Sequence, residues 1–385
     1  MKKIMAGISL LLIAFCGAAF ACSYYWLNNS GSLLEMFRKR ETVVGVIFEG
    51  SRHDGGWNET LMKTFEEIND KNCRFVFMDY AHSNDGSFGA AVDKMVSQDQ
   101  ADIIFSMGVR QPIDMAQVSD AYPNVKFYTG YGERNFPNVC GLFVRMYQAQ
   151  YQAGMLAASE TKTGDIAIVA PVPQPVINTS VNALALGIRR IRPDAKIHMI
   201  WTNTFNDEAK VAAACERVLS AYPVDVVTQV NPYREVLSIC RRRGIKAIGM
   251  CLDQQEEYGD VLLGTVIWKS EPFIRNLLDD ALEGRFTPGC RFASIDENMR
   301  LLINLTVKGD SRSRIENVGR QLRYTNRDVF YGPVKDNRGN IRIPAGHNLS
   351  DQAINSRMDW YVEGISVDDE WGNRQMKPAP DKKKL

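Results

Sequence analysis

The chain has 385 residues, more than one ordinary hydrophobic core accommodates, so two domains are expected. A net charge of +1 gives no basic footprint for a nucleic-acid partner. An apolar fraction of 45% is that of a globular chain rather than a polytopic membrane protein.

The first residues stand apart. Met1-Lys2-Lys3 is basic, Ile4 to Phe20 is apolar, and Ala19-Phe20-Ala21 forms an A-x-A cleavage signal directly before Cys22. Residues 1–21 therefore read as an export signal, followed by a tether over 22–41. Three fates fit: cleavage after Ala21, lipidation of Cys22, or retention as an uncleaved anchor. The box lacks the Leu usual three residues before a lipidated cysteine; lipidation of Cys22 is nonetheless the expectation. Each fate puts the body outside the cytoplasm, in a periplasmic or membrane-lipoprotein setting. Past Cys16 and Cys22 the cysteines are Cys73, Cys140, Cys215, Cys240, Cys251 and Cys290, with no C-x-x-C spacing for zinc or a redox centre. Export permits disulfides; buried free thiols are the other reading.

From Thr42 the pattern is regular. Val43–Phe48, Cys73–Met78, Ile103–Phe105 and Val125–Tyr128 read as buried strands. Between them, Trp57–Asn69, Ser87–Gln98 and Gln111–Ala121 have helical spacing, the first with Leu61, Phe65 and Ile68 on one face. Alternation resumes with helix 146–161, strand 165–169, helix 176–190, strand 196–201, helix 207–221, strand 224–228, helix 234–243 and strands 245–252 and 262–268. Helix 271–283 follows, then a strand over 298–306, a hairpin around Asp336-Asn-Arg-Gly-Asn340, and a last helix over 349–363. The alternation predicts βαβ units and parallel sheets in two doubly wound halves.

Catalytic motifs are scarce. There is no G-x-x-x-x-G-K-[ST], G-x-S-x-G or H-E-x-x-H, and the four histidines have no ligand spacing, so neither metal nor cofactor is expected. Binding features are better. Strand 245–252 ends at Asp253 and strand 262–268 at Lys269, where ligands of open α/β sheets lie. An acid and a base so placed suit a small polar ligand; a satisfied salt bridge is the competing reading. Asp54-Gly-Gly-Trp57-Asn58 follows the first strand, and Trp201-Thr-Asn-Thr-Phe205 holds the same station in the second half. Aromatics at both mouths would sandwich a flat heterocycle.

Several segments carry a resemblance: Arg145-Met-Tyr-Gln-Ala-Gln-Tyr-Gln-Ala-Gly154, Gly249-Met-Cys-Leu-Asp253-Gln254, Leu263-Gly-Thr-Val-Ile-Trp-Lys269, Phe330-Tyr-Gly-Pro-Val-Lys-Asp336 and Met358-Asp-Trp-Tyr-Val-Glu-Gly364. In order and spacing they resemble the basic membrane protein (BMP) family of ABC-importer substrate-binding proteins, over about residues 43–365. The resemblance implies a type I periplasmic-binding fold: two doubly wound parallel-sheet lobes joined by three crossovers at a hinge. It implies lobe 1 over 42–142 and 271–289, lobe 2 over 143–270 and 290–365, and a disordered tail over 366–385. It further implies a purine nucleoside or nucleobase in the cleft and an ABC permease as partner, with no enzymatic activity. By position, Trp57 and Phe205 match the stacking aromatics, Asp253 and Lys269 the ribose-contacting acid and lysine, and Asp54 and Asn58 neighbouring polar contacts. A ligand-sensing receptor without transport and a nucleoside hydrolase are the rival readings.

Fractionation tests the leader. Cys22→Ser is expected to release the protein from membranes; attachment with the segment 1–21 uncleaved favours the anchor instead.

Overall fold

The sheet strands alternate with helices because each apolar run of four to seven residues is followed by a segment with one apolar face, and only a helix-covered parallel sheet buries both. The computed structural model describes residues 40–367, apart from 69–72, 83–84, 109–114, 131–135 and 297. The expected leader, Cys22, the tether up to residue 39 and the tail from 368 lie outside the described residues.

The first sheet is built from β1 (Thr42–Ile47), β2 (Cys73–Met78), β3 (Ile103–Ser106), β4 (Lys126–Gly130) and β5 (Val139–Val144). Helices α1 (Trp57–Ile68), α2 (Ser87–Ser97) and α3 (Met115–Ala121) connect them. A later strand, β11 (Gly289–Ala293), pairs in parallel with β5, giving the order β11-β5-β4-β3-β1-β2. The second sheet uses β6 (Asp165–Ala170), β7 (Lys196–Trp201), β8 (Val226–Gln229), β9 (Lys246–Cys251) and β10 (Leu262–Trp268). Its helices are α4 (Met146–Glu160), α5 (Pro175–Ile191), α6 (Glu208–Ala221), α7 (Arg234–Arg243) and the short α8 (Gln255–Tyr258). With antiparallel β12 (Met299–Ile303) beside β10 and parallel β15 (Ile365–Val367) beside β7, the order is β12-β10-β9-β8-β6-β7-β15. Both sheets thus have the doubly wound order 2-1-3-4-5 at their core.

The chain passes between the sheets three times: from β5 into α4, from β10 into α9 (Glu271–Leu282), and from β11 into β12. The passages are bound to one another. Arg145 N donates to Ala293 O at 2.8 Å, Ile295 N to Gln148 Oε1 at 2.9 Å, and Lys269 N to Asn298 O at 2.8 Å. The boundaries expected at 142/143 and 289/290 fall inside β5 and β11, and both strands hydrogen-bond within the first sheet.

Some elements differ from the sequence expectation. β5, β11, β15, the short α8 and helix α10 (Asp310–Tyr324) were not anticipated. The helix expected over 349–363 is only α11 (Asp351–Ser356). Beyond it the chain is irregular, with Met358, Trp360, Tyr361 and Val362 buried; Asn178 Nδ2 and Asn182 Nδ2 donate to the carbonyls of Met358 and Trp360 at 2.8 and 2.9 Å. Side-chain amides there replace the helical hydrogen-bond ladder. The expected hairpin is present as β13 (Val334–Lys335) and β14 (Ile341–Ile343).

Helix α4 is buried continuously from Met146 to Ala158. It can lie so deep because it crosses α5 at two glycines. A Cβ on Gly154 would collide with Leu184 O, and one on Gly187 with Tyr151 O. Backbone cannot yield as a side chain does, so Gly154→Ala should destabilise by at least the 1–3 kcal/mol, roughly, of an overpacked core. Chemical denaturation measures it; a loss within about 0.5 kcal/mol, the range of neutral surface changes, would show that the crossing relaxes freely.

Candidate functional site

In a doubly wound sheet the chain leaves neighbouring strands in opposite directions at the point where the order reverses, opening a crevice at their carboxyl ends. Here those points lie between β1 and β3 and between β6 and β8. The loops that emerge there are 48–56 and, as far as it is described, 107–108 in the first sheet, and 171–174 and 230–233 in the second.

Trp57 begins α1 at the first of these points. Its indole Nε1 donates to Met107 O at 3.2 Å, so it spans the reversal from the β1 loop to the end of β3. The ring is half-buried and stacks on Trp268, with centroids 5.5 Å apart and planes at 22°. Trp268 is the last residue of β10 in the second sheet and is itself buried. Asp54 is solvent-exposed, yet its carboxylate is engaged by the local backbone. Its Oδ1 accepts from Gly56 N at 2.8 Å and Glu59 N at 3.1 Å, and its Oδ2 from Asn58 N at 3.2 Å. It therefore serves the orphan N–H groups at the start of α1. Crowding by protein raises its pKa above the ordinary carboxylate value, while the three N–H donors pull the other way. Asn58 is half-buried beside Gly50.

The second sheet contributes the other expected residues, all at its carboxyl edge. Phe205 follows β7 and is half-buried; its carbonyl accepts from Asn231 Nδ2 at 3.0 Å, which ties its loop to the one after β8. Tyr233 reinforces that tie through Thr204 O at 2.7 Å and the Thr202 hydroxyl at 2.9 Å. Trp268 occupies one face of Trp57. Asp253 and Lys269 are exposed, and no ion pair joins them. Asp253 Oδ1 accepts from Gln255 N at 3.1 Å, and Lys269 makes its bond through the backbone alone.

The turn that delivers Asp253 is strained. Cys251 has a φ of 67°, and Leu252 N donates to Met250 O at 2.9 Å, closing a three-residue turn. A non-glycine residue in this region costs of order 1–3 kcal/mol and persists where the surroundings enforce it. Burial pushes the Cys251 thiol pKa up, and the charge of Asp54 from the other sheet adds to it. Next to Asp253, Gln254 is buried with both amide atoms unpartnered, and Gln229 Nε2 at the end of β8 is unpartnered too. Buried amides without partners are costly, which makes them candidates for contact with a bound molecule.

The two reversal points meet at Gly55-Gly56. A Cβ on Gly56 would stand 2.5 Å from Pro232 Cγ, and one on Gly55 would be 3.8 Å from Arg234 Nε. At Gly56 the loop after β1 packs directly against the loop after β8, leaving no room for a side chain. Trp268 and Pro232 were not among the expected site residues. Trp268 had one legible signal, an aromatic directly before an exposed lysine at a strand end; Pro232 had none. Among the described residues no cluster of His, Cys, Asp or Glu is placed to hold a metal.

Comparison with known proteins bears on this geometry. A family model described as "ABC transporter substrate-binding protein PnrA-like" matches residues 41–293. A purine-binding protein of Brucella abortus is 25% identical over 327 residues, spanning 84% of this chain and 92% of its own. Among solved structures, a transcriptional activator of the comK gene from Bacillus halodurans superposes with a TM-score of 0.65 at 19% identity, covering 74% of this chain and 99% of that one. An ABC transporter solute-binding protein from Aeropyrum pernix K1 gives 0.64 at 15% identity, covering 73% and 91%. The architecture is thus the two-lobed periplasmic-binding fold.

The glycine contact yields a test of closure. Gly56→Ala sets a methyl against Pro232 and is expected to hold the lobes apart, giving a larger radius of gyration by small-angle scattering with little change in melting temperature. A profile identical to wild type would mean that the Pro232 loop yields and the contact does not limit closure.

Proposed function

Because the chain belongs to the family of PnrA-like substrate-binding proteins of ABC transporters, we propose that it captures a purine nucleoside or nucleobase at the facing carboxyl edges of its two sheets and passes it to an ABC permease. The observation that carries the reading is the half-buried Trp57 indole, held by Met107 at one reversal point with one face already covered by Trp268. A flat, electron-rich platform with its rotation blocked suits a heteroaromatic ring, and stacking contributes about 1–3 kcal/mol per base. The relative from Brucella abortus, by its name a purine binder, supports the same ligand class. Phe205, on a loop braced by Asn231 and Tyr233, is the second stacking residue in this reading.

Asp253 and Lys269 supply the sugar contacts. Both stand exposed, and neither is neutralised by the other. Asp253 accepts from vicinal hydroxyls, and Lys269 donates to a ring or hydroxyl oxygen. A ribose enclosed by lobe closure needs such partners, since an unpaired buried polar group costs about 1–3 kcal/mol. That requirement favours the nucleoside over the free base. Asp54 acts by fixing the start of α1, and so the seat of Trp57, with Asn58 beside it. Closure is a hinge motion at the three passages between the sheets. The body works outside the cytoplasm, held there in this reading by a lipid on Cys22.

Calorimetry on ligand-stripped protein with adenosine, guanosine, adenine and guanine tests the assignment. Asp253→Ala and Lys269→Ala should each weaken nucleoside binding by about 1.5–3 kcal/mol, the scale of hydrogen bonds to charged groups. If wild type prefers free bases and both variants bind them unchanged, the ribose assignment fails and the aromatics alone carry the site.

A further inference from the structure

We propose that residues 304–342, the layer built around α10 on the second lobe, form a surface that lies against an anionic phospholipid membrane. Positive charge is concentrated there. The segment carries nine Lys or Arg against four Asp or Glu, in a chain whose net charge is only +1. Three of its four acids are already spent. Asp336 is buried and accepts from Arg342 and Asn340, Asp328 accepts from Tyr147 and Gln148 of α4, and Glu316 pairs with Arg312. Arg314, Arg320, Arg323, Arg327, Lys335 and Arg338 are exposed and, among the described residues, pair with no carboxylate.

Packing gives this layer one fixed side and one free side. Helix α10 lies over α4 with Ile315 and Val318 inward, and the Ile315 carbonyl accepts from Gln152 Nε2 at 2.9 Å. Farther along, Phe330 packs on the Tyr147 ring of α4 with centroids 5.4 Å apart. The hairpin leans on the segment held by α5, where Asn337 N donates to Tyr361 O at 2.9 Å. The opposite side faces solvent and is not purely polar. Five large apolar side chains stand exposed among the described residues, and three of them, Leu305, Tyr324 and Ile341, belong to this layer. The Arg323 guanidinium lies 5.2 Å from the Tyr324 ring centre, and that of Arg327 lies 5.0 Å from the Tyr331 ring centre.

Guanidinium groups match phosphodiester head groups in charge and in fork geometry. Aromatic and aliphatic side chains standing among them suit the head-group region, which accepts an apolar body beside a charged tip. A folded acidic partner would call for a contiguous apolar centre with charge around it. Here the apolar side chains stand singly: Leu305 before α10, Tyr324 at its end and Ile341 on the hairpin. That pattern favours lipid. The attraction is weak alone and is screened by salt, so it orients a tethered body rather than holding a free one. The inference rests on the reading that the body works outside the cytoplasm beside a membrane. It depends neither on the ligand in the cleft nor on lipidation of Cys22.

The test is vesicle sedimentation of the full-length protein carrying Cys22→Ser, which removes lipidation as a source of binding. The vesicles are phosphatidylcholine alone, or phosphatidylcholine mixed with phosphatidylglycerol. Stronger binding to the mixed vesicles is expected, and the excess should vanish at about 1 M salt, where charges are screened beyond about 3 Å. Arg320→Gln/Arg323→Gln/Arg327→Gln should weaken binding to the mixed vesicles by about fivefold for each charge that reaches the surface. The charge-matched Lys63→Gln/Lys94→Gln/Lys210→Gln, on α1, α2 and α6, should bind as the parent does. Melting temperature and nucleoside calorimetry report separately on the fold and on the cleft. Equal binding to the two kinds of vesicle, or equal loss in the two triple variants, overturns the proposal. Vesicle binding unmoved in the arginine variant while uptake falls would assign the surface to the permease, and overturns it equally.

Discussion

Two backbones come into direct contact where α4 and α5 cross, and Gly154 and Gly187 each lie against a carbonyl of the opposing helix. The rest of the second sheet is arranged around it. With no side chains between the helices, α4 sinks until every residue from Met146 to Ala158 is buried, and its polar side chains must find partners inside. Three glutamines do so in three directions. Gln148 reaches Asp328 and the Ile295 amide, Gln150 the carbonyl of Gln229, and Gln152 the carbonyl of Ile315. One helix thereby ties the third passage between the sheets, the end of β8 and helix α10 to a single reference.

The tail is held by the same construction. Helix α5 presents Asn178, Thr179 and Asn182 to the main chain between Ile354 and Val362. Arg145, at the first passage, grips Asp351 at 2.7 Å and Ser294 at 2.9 Å. The residue at which the chain first leaves the first sheet therefore also anchors the C-terminal segment. The part-buried, two-pronged contact of Arg145 with Asp351 has the geometry that gives charge pairs directional strength.

Much of this was legible in the amino-acid order, and the exceptions have physical reasons. Apolar runs such as Asp165–Ala170 and Leu262–Trp268 are buried on both faces, which marks central parallel strands plainly. β11 and β15 are edge additions of five and three residues, stabilised by a neighbour far away in sequence, and nothing local signals them. Helix α10 buries only Ile315 and Val318, so it lacks a continuous apolar stripe. At the site, strand ends announced Asp253 and Lys269, because an apolar run ending in a charge is a local pattern. The stacking of Trp57 on Trp268 and the contact of Gly56 with Pro232 join residues far apart in the chain. Only the relative placement of the two sheets creates them.

The Trp57–Trp268 stack has an optical consequence. Two indoles with centroids 5.5 Å apart and planes at 22° lie close enough for their excited states to mix, and that mixing fades steeply with separation. One ring belongs to the loop after the first strand and the other to the last parallel strand of the opposite sheet. Circular dichroism in the indole absorption bands thus carries a couplet that exists only while the two edges are together. The molecule contains its own unlabelled gauge of how far apart they stand.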